Sequence, residues 1–233
     1  MSKQLLVGGV ETFSMVDYPG QMAAVVFLQG CPWRCPFCHN TDLQIIGKDN
    51  GFSWPKFMEF LEERKGKLDA VVFSGGEPLV QDALEDAVKE VKALGYKIGL
   101  HTGGFRPDFF KRLLPLLDWV GFDIKTPLTA ERYNAAIGQK HFEKALESLR
   151  ALIDSGVAFE CRTTCDPRLL SIEDIYTLGR QLPELGVKEY YLQQYRPIPS
   201  DTVSTEADCE KFFEDEELIA FLKKAFPVFD VRK

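Results

Sequence analysis

Short runs of β-branched and aromatic residues alternate along the chain with longer stretches in which apolar residues recur at helical spacing. This order is typical of repeated βα units around a parallel sheet. The strand-like runs are AAVVFLQG, DAVVFSGGEP, YKIGLHTGG, DWVGFDIKT, VAFECRTT and EYYLQQYRP. We therefore expect a parallel α/β fold with six strands.

The stretches between these runs carry helix boundary signals. In SWPKFMEFLEERKG, Ser53 is a capping residue and Gly66 follows the last apolar position. The stretch VQDALEDAVKEVKALG closes at Gly95, and Ser171 with Asp174 matches a capping box at the start of SIEDIYTLGRQL. These signals predict helices between successive strands.

Six βα units are fewer than the eight that close a full barrel, so the pattern predicts a partial (β/α)6 barrel that is open on one side. Such a lateral cleft could admit a large substrate. Polar and glycine-rich residues follow the strands, and the carboxyl ends of parallel strands form the working face of these folds. No linker is evident, so we expect a single domain over 1–233, with a cysteine loop at 31–38 and an acidic helical segment at about 205–233.

Composition and charge exclude several classes of protein. The chain is 45% hydrophobic and 27% charged, which is ordinary for a soluble enzyme. Its net charge of −7 and its lack of a Lys/Arg run argue against a general nucleic-acid binder. No apolar run approaches the roughly 20 residues of a membrane helix, and the first residues lack the pattern of a secretory signal. We expect a cytoplasmic protein that binds neither nucleic acid nor membrane.

One acidic stretch stands out within this charge pattern. Seven carboxylates and one lysine lie between Glu206 and Leu218. A run of this kind more often solvates a helix face than binds a partner. Docking of a basic partner is the alternative.

The stretch LQGCPWRCPFCHN contains the candidate chemistry, with Cys31, Cys35 and Cys38 close together. Pro36 would disrupt a helix here, so we predict an irregular loop. At about 3.5 Å per residue, such a loop can place each thiolate at a separate corner of a cubane cluster. Zinc with His39 as fourth ligand is the alternative, although adjacent side chains of Cys38 and His39 diverge. Three thiolates leave one ligand position open.

The next strand ends in a second motif, SGGEP, from Ser74 to Pro78. Its glycines permit a close approach of the backbone, and Glu77 can face an ammonium group. A glycine pair alone also suits a structural turn. The motif gains weight from its place after the cysteine loop.

The spacing Cys-x3-Cys-x2-Cys, with Phe37 before the last cysteine, resembles the signature of the radical S-adenosylmethionine (SAM) enzymes. The resemblance implies one [4Fe–4S] cluster on Cys31, Cys35 and Cys38, whose open iron is chelated by SAM. It implies reductive cleavage of SAM to a 5′-deoxyadenosyl radical that abstracts hydrogen, with Phe37 beside the cofactors. It also implies that the second motif holds the methionyl amine of SAM, through Ser74, Gly75, Gly76 and Glu77.

The segment FSMVDYPGQMAAVVFLQGCPWRCPFCHN, Phe13 to Asn40, is similar to the entry segment of glycyl-radical-enzyme activases. This group includes the activating proteins of pyruvate formate-lyase and of anaerobic ribonucleoside-triphosphate reductase, and the latter are the most similar. The resemblance implies hydrogen abstraction from a glycine of a partner enzyme, with a donor such as flavodoxin or ferredoxin. Asp17 becomes a candidate for holding the partner's backbone. Tyr18 replaces a glycine common in other activases, which leaves the partner's identity open.

Further candidates follow later strands. His101 stands where related activases carry an acidic residue, and we expect it to hydrogen-bond and not to bind a cation. Thr102 and Gly103 could contact SAM through hydroxyl and backbone groups. Asp123 and Lys125 alternate on a strand, so both should face inward, and the resemblance places them beside SAM and the partner loop.

Two more residues complete the candidate site. Arg162 and Gln193 lie where they could meet a carboxylate, ribose or adenine. Cys161, Cys165 and Cys209 are expected to be buried thiols, which leaves one cluster.

Two other functions remain open from sequence alone. The first is radical SAM chemistry on a small molecule, such as a nucleotide precursor, inside a closed cleft. The second is a non-catalytic zinc-binding interaction domain. Metal analysis of the purified protein separates the second from the rest.

Overall fold

Eight strands form one sheet in a computed structural model that describes residues 4–199 and 201–233. The spatial order of the strands is their order in the chain, and every neighbouring pair is parallel except the first two strands, which are antiparallel. The strands are β1 Val7–Ser14, β2 Ala23–Leu28, β3 Ala70–Gly75, β4 Lys97–Thr102, β5 Trp119–Asp123, β6 Ala158–Cys165, β7 Glu189–Gln194 and β8 Val228–Arg232.

Helices connect the parallel strands. They are α1 Trp54–Glu63, α2 Leu84–Ala93, α3 Pro107–Leu113, α4 Ala130–Ile137, α5 Phe142–Ser155, α6 Ile172–Leu185, α7 Glu206–Glu214 and α8 Glu216–Ala225, with 3₁₀ turns at Thr41–Gln44, Pro78–Val80 and Leu114–Leu116. No helix of the described residues has the length and apolar character that a membrane crossing requires.

Alternation along the strands gives the sheet two different faces. Every second residue is apolar and packs under the helices, as Val26, Phe73 and Leu100 do, all fully buried. Burying one such side chain stabilises the fold by about 1.5–3 kcal/mol. The intervening positions of the later strands form a polar inner face: Ser74, His101, Asp123, Glu160, Arg162, Tyr191, Gln193 and Arg232.

The six predicted strands are β2 to β7, so the predicted parallel core is confirmed. The prediction missed both edges of the sheet, β1 and β8, as well as helix α4. The segment at about 205–233 was expected to be helical, and it does contain α7 and α8. The helical prediction was wrong at the end of this segment. There VFDVR alternates with a period of two and forms strand β8, which pairs with β7. Strands β1 and β8 each pair with a neighbouring strand on one side only, so the sheet stays open, as predicted.

Most predicted helix signals lie at real boundaries. The Ser53 side chain caps α1, and the Ser171–Asp174 capping box opens α6. Gly66 and Gly95 have positive φ values after α1 and α2. Helix α2 begins later than expected, because Pro78–Val80 forms a separate 3₁₀ turn.

Candidate active site

The cysteine loop follows β2 at the carboxyl end of the parallel strands. Cys31, Cys35 and Cys38 are free thiols, each partly exposed. The loop folds back on itself, since the Cys38 amide donates to the Cys35 carbonyl at 3.1 Å. The Arg34 guanidinium donates to the carbonyls of Cys31 and Trp33, at 2.9 and 2.7 Å. The predicted irregular loop is confirmed.

Trp33 anchors the loop to the strand ends. Its side chain is only 3% exposed, and its indole N–H donates to His141 Nδ1 at 3.3 Å. A Cβ at Gly103 would lie 2.2 Å from the Trp33 ring, so only glycine leaves room for this contact. Gly103 is also predicted to contact SAM. Because it has no side chain, it leaves room for the Trp33 ring that anchors the cysteine loop.

Arg168, which is not among the predicted site residues, holds the far side of the loop. Its guanidinium donates to the Pro36 carbonyl at 3.1 Å and to the Tyr195 hydroxyl at 2.8 Å. It also pairs with the fully buried carboxylates of Asp166, at 2.6 Å, and Asp201, at 3.2 Å. One side chain thus joins the cysteine loop to the ends of β6 and β7. The Asp166 and Arg168 pair, two residues apart in CDPRLL, was the only local signal.

The donor set of the loop fits an iron–sulfur cluster with one open ligand position. Burial raises the pKa of the Cys31 thiol to about 12 and that of the Cys35 thiol to about 11. The positive charge of Lys125 acts in the other direction on both pKa values, but burial has the larger effect. Iron binding deprotonates such thiols. Among residues 4–199 and 201–233, no three His, Cys, Asp or Glu side chains converge to hold a single metal ion. His39, the fourth zinc ligand of the alternative hypothesis, is exposed.

The SGGEP motif binds the end of β3 to the start of the cysteine loop. The amides of Gly76 and Glu77 donate to the carbonyls of Leu28 and Gly30, both at 2.9 Å. Gly75 has a φ of +112°, and a Cβ there would lie 2.2 Å from the Leu28 nitrogen. A Cβ at Gly76 would lie 2.3 Å from the Gly30 oxygen. Both glycines are therefore required by backbone contacts.

Glu77 is 1% exposed and accepts three hydrogen bonds from its own chain. The donors are the Thr102 hydroxyl at 2.6 Å, the Gly103 amide at 2.9 Å and the Leu79 amide at 3.1 Å. Burial raises the pKa of Glu77, whereas the three hydrogen bonds lower it by less. The Thr102 hydroxyl also accepts from the Gly104 amide at 2.9 Å. These groups brace the strand ends, and their contact with SAM stays a prediction.

Asp123, Lys125 and Arg162 form an ionic cluster on the inner face. Asp123 Oδ1 accepts from Arg162 Nε at 3.0 Å, and Oδ2 pairs with Lys125 Nζ at 3.1 Å. Burial alone would raise the pKa of Asp123, but the two cations hold it well below its usual range. Lys125 Nζ also lies 5.5 Å from the centre of the Phe37 ring, beside the cysteine loop. The predicted inward orientation of Asp123 and Lys125 is confirmed.

His101 links the SGGEP motif to the Asp17 segment. Its Nδ1 lies 3.3 Å from the Ser74 hydroxyl, and its Nε2 lies 2.8 Å from the Asp17 carbonyl. The ring meets Trp119 edge-on with centroids 5.6 Å apart. Burial lowers the pKa of His101 to about 3, with Arg162 adding to the effect. The hydrogen-bonding role expected for His101 is confirmed by these two contacts.

A cavity of about 650 Å³ opens on the unclosed side of the sheet, and we call it the lateral gap. It lies between the β1–β2 connection and the β7–β8 edge. It brings three predicted site residues together, Asp17, Arg162 and Gln193. The other lining residues are Met15, Val16, Pro19, Arg196, Arg232 and Lys233. A second cavity, of about 440 Å³ beside Gln29 and Gln81, contains none of the predicted site residues.

Arg232 was missed because it lies on the unpredicted strand β8. Its guanidinium pairs twice with the fully buried Glu160 carboxylate, at 2.5 and 2.8 Å, and lies over the Tyr191 ring at 3.8 Å. The alternation in VFDVR was the signal that could have placed it inward.

The remaining cysteines are buried, as expected. Cys161 and Cys165 lie in the apolar layer under the helices. Cys209, distant in sequence, packs with Phe37 and Tyr195. It therefore lies nearer the cysteine loop than its position in the sequence indicates.

Comparison with known proteins agrees with this geometry. Residues 25–166 match the family model of the Radical SAM superfamily. A protein of Methanocaldococcus jannaschii that carries the name of a glycyl-radical enzyme activating enzyme is 30% identical over 200 residues, 82% of this chain and 80% of the relative. The pyruvate formate-lyase-activating enzyme of Listeria monocytogenes is 37% identical over 137 residues, 51% of this chain and 52% of the relative. The chain thus covers about half of that second relative.

Solved structures share the fold at low sequence identity. A radical SAM methyltransferase from Sphaerobacter thermophilus has a TM-score of 0.69 at 16% identity, over 92% of this chain and 67% of that one. SuiB of Streptococcus suis, bound to its precursor peptide SuiA, has a TM-score of 0.68 at 16% identity, over 90% of this chain and 48% of that one.

Proposed function

The chain belongs to the radical SAM superfamily, and from that premise we propose that it generates a glycyl radical on a partner glycyl radical enzyme. The observation that carries the proposal is the lateral gap, which opens from the surface onto the polar inner face. An opening of this kind suits a segment of another protein better than a small molecule, which is usually enclosed. The relatives named as activating enzymes support the same partner class.

Cys31, Cys35 and Cys38 would hold the [4Fe–4S] cluster, and the inner face would receive SAM. When bound, the two cofactors supply the electron transfer and the hydrogen-atom abstraction. The chain's own residues position them. Contacts of Trp33 on one side and of Arg168 on the other hold the cysteine loop in place.

The polar inner face contributes fixed charges. The Asp123 carboxylate keeps Lys125 and Arg162 in place, so their unused donors are preorganised for a carboxylate or ribose. Gln193, paired in register with Arg232, would add an amide at the border between SAM and the gap. Asp17 would accept hydrogen bonds from the partner's backbone.

Anaerobic ribonucleoside-triphosphate reductase is the partner we propose, on the similarity of the segment Phe13 to Asn40 to its activating proteins. Tyr18 fills space on the inner face beside Trp119, with ring centroids 5.1 Å apart. A flavodoxin or ferredoxin as electron donor, and a cytoplasmic location, belong to the same proposal and rest on sequence alone.

The test is anaerobic reconstitution with iron and sulfide, followed by reduction in the presence of SAM. We expect a brown protein that releases methionine and 5′-deoxyadenosine, and a glycyl radical signal in electron paramagnetic resonance when the reductase is added. Cys35→Ala should abolish both results, and Cys161→Ala, in the apolar layer, is the matched control. A colourless protein with bound zinc contradicts the proposal. A radical formed on pyruvate formate-lyase, but not on the reductase, changes the partner alone.

A further inference from the structure

The connection between β1 and β2, residues 15–22, carries Asp17 to the edge of the lateral gap. Its own hydrogen bonds are short-range. The Ser14 hydroxyl oxygen accepts from the amides of Val16 and Asp17, at 3.2 and 3.3 Å. Local turns of this kind do not fix a segment relative to the sheet, so the position of Asp17 depends on contacts that the connection makes with the strands.

The Tyr18 ring makes the first of these contacts. Its side chain is 8% exposed and packs with Val25 and Val72, which are both fully buried. The ring of Trp119 lies beside it, with centroids 5.1 Å apart. Gly99 on β4 leaves room for this ring, because a Cβ there would lie 3.0 Å from Tyr18 Cδ2 and 2.9 Å from Val72 Cγ2. Tyr18 therefore fills a slot in the first half of the inner face.

His101 makes the second contact, from near the carboxyl end of β4. Its Nε2 lies 2.8 Å from the Asp17 carbonyl, which can only accept, so Nε2 donates and Nδ1 accepts from the Ser74 hydroxyl at 3.3 Å. The Trp119 ring, which packs on Tyr18, also meets His101 edge-on. Two adjacent residues of the connection are thus attached to the inner face, one through its carbonyl and one through its ring.

We propose that Tyr18 and His101 are positioning residues, which fix the backbone of this connection so that Asp17 is already in place when the partner's glycine segment docks. Both act through the connection and need no contact with the partner. The proposal rests on the proposed function, because it takes Asp17 as a contact of the partner. A segment that is held in one position loses less conformational entropy at docking and therefore binds its partner more tightly.

The competing explanation is that Tyr18 only stabilises the fold. Tyr176 on α6 offers a matched comparison, because it packs on Phe221 of α8 with ring centroids 5.0 Å apart. This pair lies in the helical layer and not on the inner face. Removing the Tyr176 ring therefore takes away a similar aromatic contact without touching the connection.

The first measurement is hydrogen–deuterium exchange of the backbone amides of residues 15–20 in the anaerobically reconstituted protein, without a partner. We expect Tyr18→Ala to raise their exchange rates about tenfold, because the segment opens more easily. Tyr176→Ala should leave these rates unchanged.

Gly99→Ala tests the same contact from the opposite side, and it serves if Tyr18→Ala does not fold. The added methyl group displaces the Tyr18 ring, so the exchange rates of residues 15–20 should rise here too. In the double variant of Tyr18→Ala and Gly99→Ala, the second substitution should add nothing to these rates, since the ring is already absent.

The second measurement is the kinetics of glycyl radical formation on the anaerobic reductase. In Tyr18→Ala we expect the KM for the reductase to rise about five- to thirtyfold, the cost of ordering one backbone residue at docking. The change in kcat should be smaller, because the docked partner orders the segment. Tyr18→Phe keeps the ring and should restore the wild-type KM.

Unchanged exchange in Tyr18→Ala, or additive effects in the double variant, overturns the proposal. A KM for SAM that rises as much as the KM for the reductase also overturns it, because the effect then lies at the cofactors. Loss of activity in Tyr18→Phe would assign the role to the phenol instead. Failure of the proposed function is recognised separately: the wild-type protein would form no radical on the reductase, which removes the docking role, while the exchange rates still decide whether the two residues hold the connection.

Discussion

The surroundings of the cysteine loop and the lateral gap are built in opposite ways. Around the loop, polar groups find partners within the chain, as the three donors to Glu77 and the contacts of Arg168 show. Glycines there are enclosed by backbone atoms. In the gap, Arg196 has no carboxylate partner among the described residues, and Val16 is exposed.

This difference agrees with the two roles proposed for these regions, a cofactor end at the cysteine loop and a partner end at the gap. Groups that position cofactors must be held before the cofactors arrive, which requires a saturated network. A surface completed by another protein can leave its polar groups to water until the partner docks. His101 joins the two regions, with Ser74 on one ring nitrogen and the Asp17 carbonyl on the other.

The largest effect should come from adding one methyl group at the cofactor end. Gly75→Ala forces a Cβ to within 2.2 Å of the Leu28 nitrogen at a φ of +112°. We expect the free energy of unfolding to fall by about 2–5 kcal/mol, of which about 1–2 comes from the left-handed backbone and about 1–3 from overpacking. Chemical denaturation measures it.

Gly66→Ala is the matched control, because Gly66 has a φ of +75° but nothing within 4 Å of its Cβ position. It should lose only the backbone contribution of about 1–2 kcal/mol. Equal losses in the two variants would show that the end of β3 is not tightly enclosed.

The next effect tests whether Arg168 fixes the cysteine loop. Arg168→Ala leaves the buried Asp166 and Asp201 carboxylates without their cation. We expect a loss of about 2–3 kcal/mol in the free energy of unfolding, below the full value for a buried pair because Arg168 is a quarter exposed. The reconstituted variant should also release iron to a chelator faster, because the Pro36 carbonyl loses its donor.

Arg180→Ala removes an exposed ion pair with Glu173 and serves as the control for Arg168. It should change the free energy of unfolding by less than about 1 kcal/mol and leave iron release unchanged. Iron release at the wild-type rate in Arg168→Ala would show that Trp33 alone is enough to hold the loop.

The SGGEP motif and Arg168 differ in how well the sequence alone could predict their roles. The inward pair Asp123 and Lys125 was predicted from spacing along one strand, and the SGGEP motif, also a local pattern, was identified by its resemblance to a family motif. The hydrogen bond from Arg168 to Pro36 spans 132 residues, and the Arg232 pair with Glu160 spans 72. Contacts of that separation depend on how the strands are placed around the inner face, which no local pattern specifies.

The missed strands have a related explanation. The core strands β2 and β3 are buried on both faces and therefore stand out as apolar runs. Strand β8 contains no fully buried residue, and β1 is buried only at its two ends. Edge strands bury less surface and carry a weaker pattern, so the sequence predicted the parallel core and missed the strands that frame the gap.

A smaller effect tests the link between the two regions. The pKa of His101 is lowered to about 3 by burial, against 6.5 in the unfolded chain. The unfolded state therefore binds more protons between pH 6.5 and 3, so stability falls as the pH falls through this window. Between pH 6.5 and 5 this contribution should reach about 1–2 kcal/mol.

His101→Gln lacks the titrating group and keeps an amide for Ser74 and the Asp17 carbonyl. Charged groups near the ring are Arg162, Asp123 and Arg232, and all three remain in the variant. The difference between the two pH profiles, from denaturation at each pH, isolates the contribution of His101. Parallel profiles would mean that the ring is hydrated and that the link is open to solvent.

The smallest effect is expected at the rim of the gap, where Val16 is 82% exposed. Val16→Ser removes apolar surface that water already covers, so the free energy of unfolding should stay within about 0.5 kcal/mol of wild type. The same substitution at Val25, fully buried in β2, should cost at least about 2 kcal/mol, because it removes buried methyl groups and buries a hydroxyl. Denaturation of both variants compares one chemical change in two settings. If Val16→Ser destabilised the fold as much as Val25→Ser, the rim would belong to the core, and its exposed side chains would need no partner to explain them.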